Sequence, residues 1–145
     1  MVTVKIAETE DQVSICKLLR YAVFIMEQNV TILRDHDEFD CISKDVKHYI
    51  LYFGEFPVAS ARLRDIYGIA KLERVCVLSQ FRDIGLGKAL VDYIVDDAKN
   101  IGYKKIVLGS QVNSTPFYEK LGFSFSDDET FMDADIPHRH MHMNL

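Results

Sequence analysis

The chain has 145 residues, 48% of them hydrophobic, with 17 basic and 22 acidic side chains and a formal charge of −5. That length suits one compact domain, residues 1–145, able to bury a core without metal or disulfide staples. The acidic balance, with no basic run longer than Lys104-Lys105, argues against a nucleic-acid partner, and no apolar stretch approaches the ~18 residues of a membrane span.

Val2 to Ile6 alternate apolar and polar residues, which predicts a first strand. Thr9-Glu10-Asp11-Gln12 fits a capping box. Val13, Cys16, Leu19, Val23 and Met26 recur every three or four residues and predict one helix with a single apolar stripe to about Gln28. Arg34 to Lys47 has no strong period and reads as a loop with a helical turn around Ser43 to Val46. From His48, the runs HYILYF, VASARLRDI and IAKLERVCVL, joined by turns at Gly54-Glu55-Phe56-Pro57 and near Tyr67-Gly68, read as an antiparallel meander.

After Arg82 helical texture returns, with Leu86, Leu90, Tyr93, Ile94 and Ala98 on one side and Gly102 placed as a C-cap. KKIVLGS has a nearly all-apolar centre, which predicts a strand buried on both faces. Thr115 to Gly122 reads as a short helix with Thr115 as N-cap, Pro116 at the first position and Gly122 as terminator. In the tail, Met141, Met143 and Leu145 oppose His140, His142 and Asn144, the pattern of a last, edge strand. The order is β-α-(α)-β-β-β-α-β-α-β, an α/β fold without repeats or interdomain linkers. Cys16, Cys41 and Cys76 form no even disulfide set and no C-x-x-C pair, and MVTVKIAETE has no cationic region leading into an apolar run. Both features point to a reducing, cytoplasmic setting.

The segment from Gln80 to Leu90, QFRDIGLGKAL, joins a strand to a long helix and carries two glycines. Backbone N–H groups at a helix start are unpaired and sit at the positive end of the dipole, so glycines there let an anion approach the backbone. The Walker P-loop fails, since Arg82 and Ala89 stand where it needs Gly and Ser or Thr. The dinucleotide fingerprint fails at Leu90, and the preceding strand has antiparallel texture. What remains is R-x-x-G-x-G, Arg82, Gly85 and Gly87, after Val75-Cys76-Val77-Leu78.

This pattern resembles the pyrophosphate-binding motif, [Q/R]-x-x-G-x-[G/A] after a V-x-V strand, of the GNAT superfamily of acyl-CoA N-acyltransferases. Asn113 and the run Phe117 to Phe123, FYEKLGF, resemble that superfamily's later F-Y-x-x-x-G-F segment. With the element order, the likeness covers most of the chain. Val23 to Gln28 (VFIMEQ), the acidic loop Asp35 to Asp40 and Ile136-Pro137-His138 resemble small stand-alone bacterial members.

The resemblance implies a central mixed, mostly antiparallel sheet flanked by helices and splayed between its fourth and fifth strands. It implies acetyl-CoA as co-substrate, with free N–H groups around Val75, Cys76 and Val77 meeting the pantetheine amides and the thioester oxygen. Arg82, Asp83, Ile84, Gly85, Leu86, Gly87 and Lys88 would hold the phosphates, and Asn113 would hold the cofactor or orient Tyr118. The Tyr118 hydroxyl would face the sulfur and assist thiolate departure, with Phe117 pointing inward as core.

Amine acetylation needs a base, because an alkyl ammonium titrates near ~10. Strand alternation predicts that Glu73 shares a face with Val75 and Val77, with Arg74 and Cys76 on the other. The resemblance favours an acidic residue at this point on the strand, acting through water. Pairing of Glu73 with Arg62, Arg64 or Arg74 is the competing reading, and Glu27 at the end of the first helix is the second candidate base. The expected reaction is direct attack of an amine on acetyl-CoA in a ternary complex.

His138, His140 and His142 alternate, but without a carboxylate or cysteine at ligand spacing they predict no metal site. A role for His138 in the substrate site is retained. Phe39 and Asp40 break the pattern of a calcium loop, so Asp35 to Asp40 reads as a solvated loop or an entrance attractive to an amine. Cys76, mid-strand without a positioned histidine, reads as a buried hydrophobe rather than a nucleophile. The expected partner is a small-molecule or peptide amine, and the strand edges and Met-rich tail suit a homodimer. Two rival readings are a non-catalytic acyl-CoA-binding module and a plain interaction domain whose glycine turn is structural.

Overall fold

A computed structural model describes residues 1–31 and 35–145; Arg34, the start of the sequence-predicted loop, lies outside them. The strands are β1 (Val2–Ile6), β2 (Val46–Phe53), β3 (Phe56–Ile66), β4 (Ile69–Val77), β5 (Lys105–Gln111), β6 (Ser124–Phe125), β7 (Phe131–Asp133) and β8 (Ile136–Asn144). They form one sheet in the order β1-β2-β3-β4-β5-β8-β6, with β7 also on β8. All pairs are antiparallel except β4 with β5.

That parallel pair decides the architecture. It spans only Ala70↔Ile106, Lys71↔Val107 and Leu72↔Leu108, although β4 runs on to Val77 and β5 to Gln111. Beyond Leu72 the two strands diverge, and the sheet splays where the family resemblance implies.

Helix α1 (Glu10–Arg20) begins with the capping box. Thr9 Oγ1 accepts from the Gln12 N–H at 3.2 Å, and Gln12 Oε1 accepts from the Thr9 N–H at 3.2 Å. From Tyr21 to Glu27 the helix widens into a π-helical turn, marked by the Gln28 N–H donating to the Val23 carbonyl. A wider turn rotates the register, so the single stripe ends early: Val23 is buried but Met26 is 67% exposed. Cys16, Leu19 and Val23 pack on Ile50 and Cys76 on one sheet face.

The opposite face carries α2 (Leu86–Ile101), whose Leu90, Val91, Ile94 and Ala98 are fully buried against Tyr49, Leu51, Ala59 and Ile106. Each such aliphatic side chain contributes about 1.5–3 kcal/mol through burial. Tyr93 sits at the edge of this stripe, 41% exposed, with its ring edge-on to Tyr49. Gly102 caps the helix in the left-handed region, as its position predicts.

Several local readings change. Ser43 to Val46 is a bridged turn leading into β2, because the Val46 N–H bonds the Ser43 carbonyl rather than starting a helix. In β5 only Ile106, Leu108 and Ser110 are buried; Val107 and Gly109 face the opening left by the splay. In α3 (Thr115–Lys120) Thr115 is the first helical residue, and its hydroxyl donates to the Val112 carbonyl instead of capping. The tail strand β8 is no edge: β5 covers one side, and β6 and β7 the other. Met141 accordingly is fully buried.

Candidate active site

The splay opens a cleft of about 1200 Å³ between β4 and β5. Typical small-ligand pockets occupy ~300–1,000 Å³, so this cleft is sized for a long co-substrate. Its walls come from the π-helical turn, β4, the Arg82 to Lys88 turn, β5, α3 and β7–β8. Of the residues expected to hold cofactor, Val75, Cys76, Val77, Arg82, Asp83, Gly85, Leu86, Gly87, Lys88, Asn113 and Tyr118 line it; Ile84 is not among the lining residues and is 58% exposed.

The turn is built for an exposed backbone. Asp83 and Gly85 both adopt positive φ, 63° and 86°. The first hydrogen bond of α2 runs from the Ala89 N–H to the Gly85 carbonyl, and no side chain caps the helix. The N–H groups of Leu86, Gly87 and Lys88 therefore precede the ladder at the positive end of a 16-residue helix. Gly87 is fixed by space, because a Cβ there would lie 3.3 Å from Phe117 Cζ. Lys88 leans back to Asp92 at 2.5 Å.

Arg82 reaches across the cleft. Its Nε donates to the Val77 carbonyl at 3.0 Å, and its two terminal nitrogens grip Glu27 at 2.5 and 2.7 Å. The Arg82 hydrogen bonds hold the Glu27 carboxyl below the usual carboxylate range.

Glu73 sits differently from the alternation reading. Arg62 pairs with Glu73 and Ser60 with Cys76, so Arg74 and Val75 together oppose Ala61 as a β-bulge, with Arg74 at φ 56°. One extra residue reverses the alternation. Glu73 shares the α1 face with Cys76, Ser60 and Arg62, while Val77, paired with Ala59, lies on the α2 face. There Glu73 accepts from Arg62 at 3.0 Å and Arg64 at 2.6 Å, with Lys71 at 3.6 Å. Burial alone would raise its carboxyl, but Arg64 and Arg62 overcome that and hold it below the usual range.

Tyr118 lines the cleft as expected, but Phe117 lines it too instead of pointing only into the core. Tyr118 is 8% exposed between the rings of Phe117 and Phe123, at centroid distances of 5.0 and 5.7 Å, while Phe117 is half-buried and lines the cleft against Gly87. Among the described residues the Tyr118 hydroxyl makes no hydrogen bond, and burial, with Cys76 nearby, pushes its proton affinity up. It stays a phenol, suited to donating. Burial also raises the Cys76 thiol to about 11, and its sulfur lies 3.4 Å from the Ser60 hydroxyl with no base beside it among the described residues, which disfavours a nucleophilic role.

Comparison with known proteins then decides the family. The family model described as an acetyltransferase (GNAT) domain matches residues 22–145. This chain belongs to the GNAT acetyltransferase family. The uncharacterized N-acetyltransferase YjcF of Bacillus subtilis is 35% identical over 94% of this chain and 95% of its own. ElaA of Escherichia coli shares the fold at a TM-score of 0.87 with 24% identity, covering 99% of this chain and 100% of its own. An acyl-CoA N-acyltransferase from Pseudomonas aeruginosa does so at 0.86 with 24% identity, covering 98% and 99%. GNAT proteins use acyl-CoA co-substrates, which agrees with a long cleft ending at an uncapped helix.

The GNAT cleft also contains residues the sequence left unassigned. Arg74 enters through the bulge, which no periodicity announces. Gln28 and Gln111 meet across the cleft at 2.8 Å, a contact between residues 83 positions apart that neither local pattern encodes. Among the described residues no group of three His, Cys, Asp or Glu side chains is arranged as a metal site, and no helix is long and apolar enough to cross a membrane.

Proposed function

We propose that this GNAT protein transfers acetyl from acetyl-CoA to a primary amine by direct attack in a ternary complex. The single observation that carries this reading is the run of unladdered N–H groups at Leu86 to Lys88, opening into the cleft that holds Tyr118. A diphosphate is a multiple acceptor, and three converging donors at a helix start match it without a lysine-bearing P-loop. Pantetheine would then run along the free edge of β4 past Val75 and Val77, where divergence from β5 leaves backbone groups unpaired.

At the reacting centre the amine nitrogen forms a bond to the carbonyl carbon, the C–S bond breaks, and the electron pair leaves on sulfur. A thiol has a reference pKa of about 8.5, so one hydrogen-bond donor suffices to assist departure. Tyr118 supplies it. Replacing Tyr118 by Phe should lower turnover about 100-fold, read as free thiol released with a panel of amines, with acetyl-CoA affinity unchanged by calorimetry. Equal turnover in the Phe variant would remove Tyr118 from the chemistry.

The arginine grip on both Glu27 and Glu73 favours one rival, a module that binds acyl-CoA but lacks a free base. Affinity for CoA without amine-dependent thiol release would select it.

A further inference from the structure

Beside the main cleft lies a smaller chamber of about 70 Å³, bounded by Phe24 and Gln28, by Arg74 at the bulge, by Gln111 at the end of β5 and by His138 at the start of β8. Both cavities share these walls, so the chamber is an annex of the cleft on the side away from the Gly85 turn. Its lining is mixed: Gln28, Gln111, Arg74 and His138 supply polar and charged groups, and Phe24, Val30 and Ile136 supply apolar ones, with room for a small amine head.

His138 is only 9% exposed and pairs in register with Gln111. Its Nδ1 lies 2.7 Å from the Ile136 carbonyl oxygen. A carbonyl only accepts, so Nδ1 carries the hydrogen and the neutral ring keeps its lone pair on Nε2. Among the described residues Nε2 meets no hydrogen-bond or ion-pair partner. The Phe131 ring, 5.5 Å from the His138 ring and stacked on His140 at 4.1 Å, walls the site. The charged or titratable groups around His138 are Arg74 from β4, Asp35 before β2, Asp133 from β7 and His140 from β8. Arg74 is a cation, Asp133 and His140 are exposed, and Asp35 is held by Arg20 at 3.3 Å. Glu27 and Glu73 are both occupied by arginines.

We infer that this chamber receives the acceptor amine and that His138 Nε2 takes its proton. The inference rests on the acetyl-transfer reading and deepens it. The amine enters as ammonium and gives one proton to Nε2. Its lone pair bonds the carbonyl carbon, the C–S bond breaks, and Tyr118 protonates the departing sulfur. The second nitrogen proton restores Tyr118, and the imidazolium releases its proton to water, so one proton is produced per turnover. A small polar primary amine fits the chamber's size and lining.

The test is His138→Asn, whose side-chain amide N–H can still bond the Ile136 carbonyl while nothing replaces Nε2. Amine-dependent thiol release should fall at least about 100-fold, with acetyl-CoA affinity and thermal midpoint unchanged. The variant's rate should climb about tenfold per pH unit where the wild-type rate levels off, because the amine must then lose its proton to water. Added imidazole should restore part of the rate. A His138→Asn protein with the wild-type rate and pH profile overturns the assignment, as does Glu27→Gln abolishing turnover while His138→Asn does not. Wild-type protein that binds acetyl-CoA yet releases no thiol with any amine fails the acetyl-transfer reading itself, and the role of His138 falls with it.

Discussion

Gly85→Val should reduce acetyl-CoA affinity by at least about 100-fold, measured by calorimetry. Gly85 sits at φ 86°, where a β-branched residue is strongly disfavoured, with a strain of about 1–3 kcal/mol. No side chain crowds the position, so the penalty is conformational rather than steric. The backbone relieves it by leaving the left-handed region, which turns the Leu86 and Gly87 N–H groups away from a common point. Hydrogen bonds to charged acceptors are worth about 1.5–3 kcal/mol each, and each 1.4 kcal/mol is tenfold in binding. Losing two is enough. The fold should survive, since the turn is exposed and α2 is anchored by Leu90, Val91 and Ile94. A Gly85→Val protein that binds acetyl-CoA like wild type would mean that the turn does not carry the diphosphate.

The second large effect concerns stability. Arg62 is 1% exposed, yet its guanidinium bonds Asp37 at 2.7 and 2.9 Å, Asp40 at 3.1 Å and Glu73 at 3.0 Å. Arg62→Met fills the space but leaves these carboxylates without their shared cation. Breaking a buried pair from one side costs about 3–5 kcal/mol, a large part of a typical ~5–15 kcal/mol domain stability. Denaturant unfolding should register it as a lower midpoint with little change in slope.

The pH dependence follows from the same cluster. Burial acts to raise Asp37, Asp40 and Glu73, but the arginines beside them prevail and hold all three below the ordinary carboxylate range. A depressed native pKa adds stability above the unfolded value, near ~4 for these groups, and that stability is lost as pH falls through the native value. Wild-type stability should therefore hold above about pH 4 and decline in acid. Protonation also removes the uncompensated charge in Arg62→Met, so the gap between the two proteins should narrow there. A gap that widens in acid would contradict the ion-pair account.

The architecture was legible because its signals are local and agree with one another. The Thr9 capping box, the Leu86-Leu90-Ile94 stripe, the Gly102 stop and the alternating tail each specify one element, and their order matches the fold. The glycine turn was legible through its motif spacing; Gly85 answers a local demand, its positive φ, whereas the demand on Gly87 comes from the distant Phe117 ring. What escaped depends on one-residue insertions and long-range contacts. The bulge at Arg74 reverses the facing of Glu73, and the π-helical turn rotates Met26 out to solvent; neither changes composition or period enough to be read. Likewise β6 and β7, with two and three residues, exist only because β8 offers them an edge. The tautomer of His138 is set by the Ile136 carbonyl, a contact that exists only in the folded chain.

The central claim is that backbone N–H groups at the start of α2 grip the diphosphate of coenzyme A. Titrating the isotope-labelled protein with CoA and following its amide resonances tests this most directly. The Gly85, Leu86, Gly87 and Lys88 signals should show the largest shifts and saturate together, and dephosphorylated pantetheine should leave them nearly unmoved. Saturable CoA binding that leaves those four amides in place while signals elsewhere shift would contradict it.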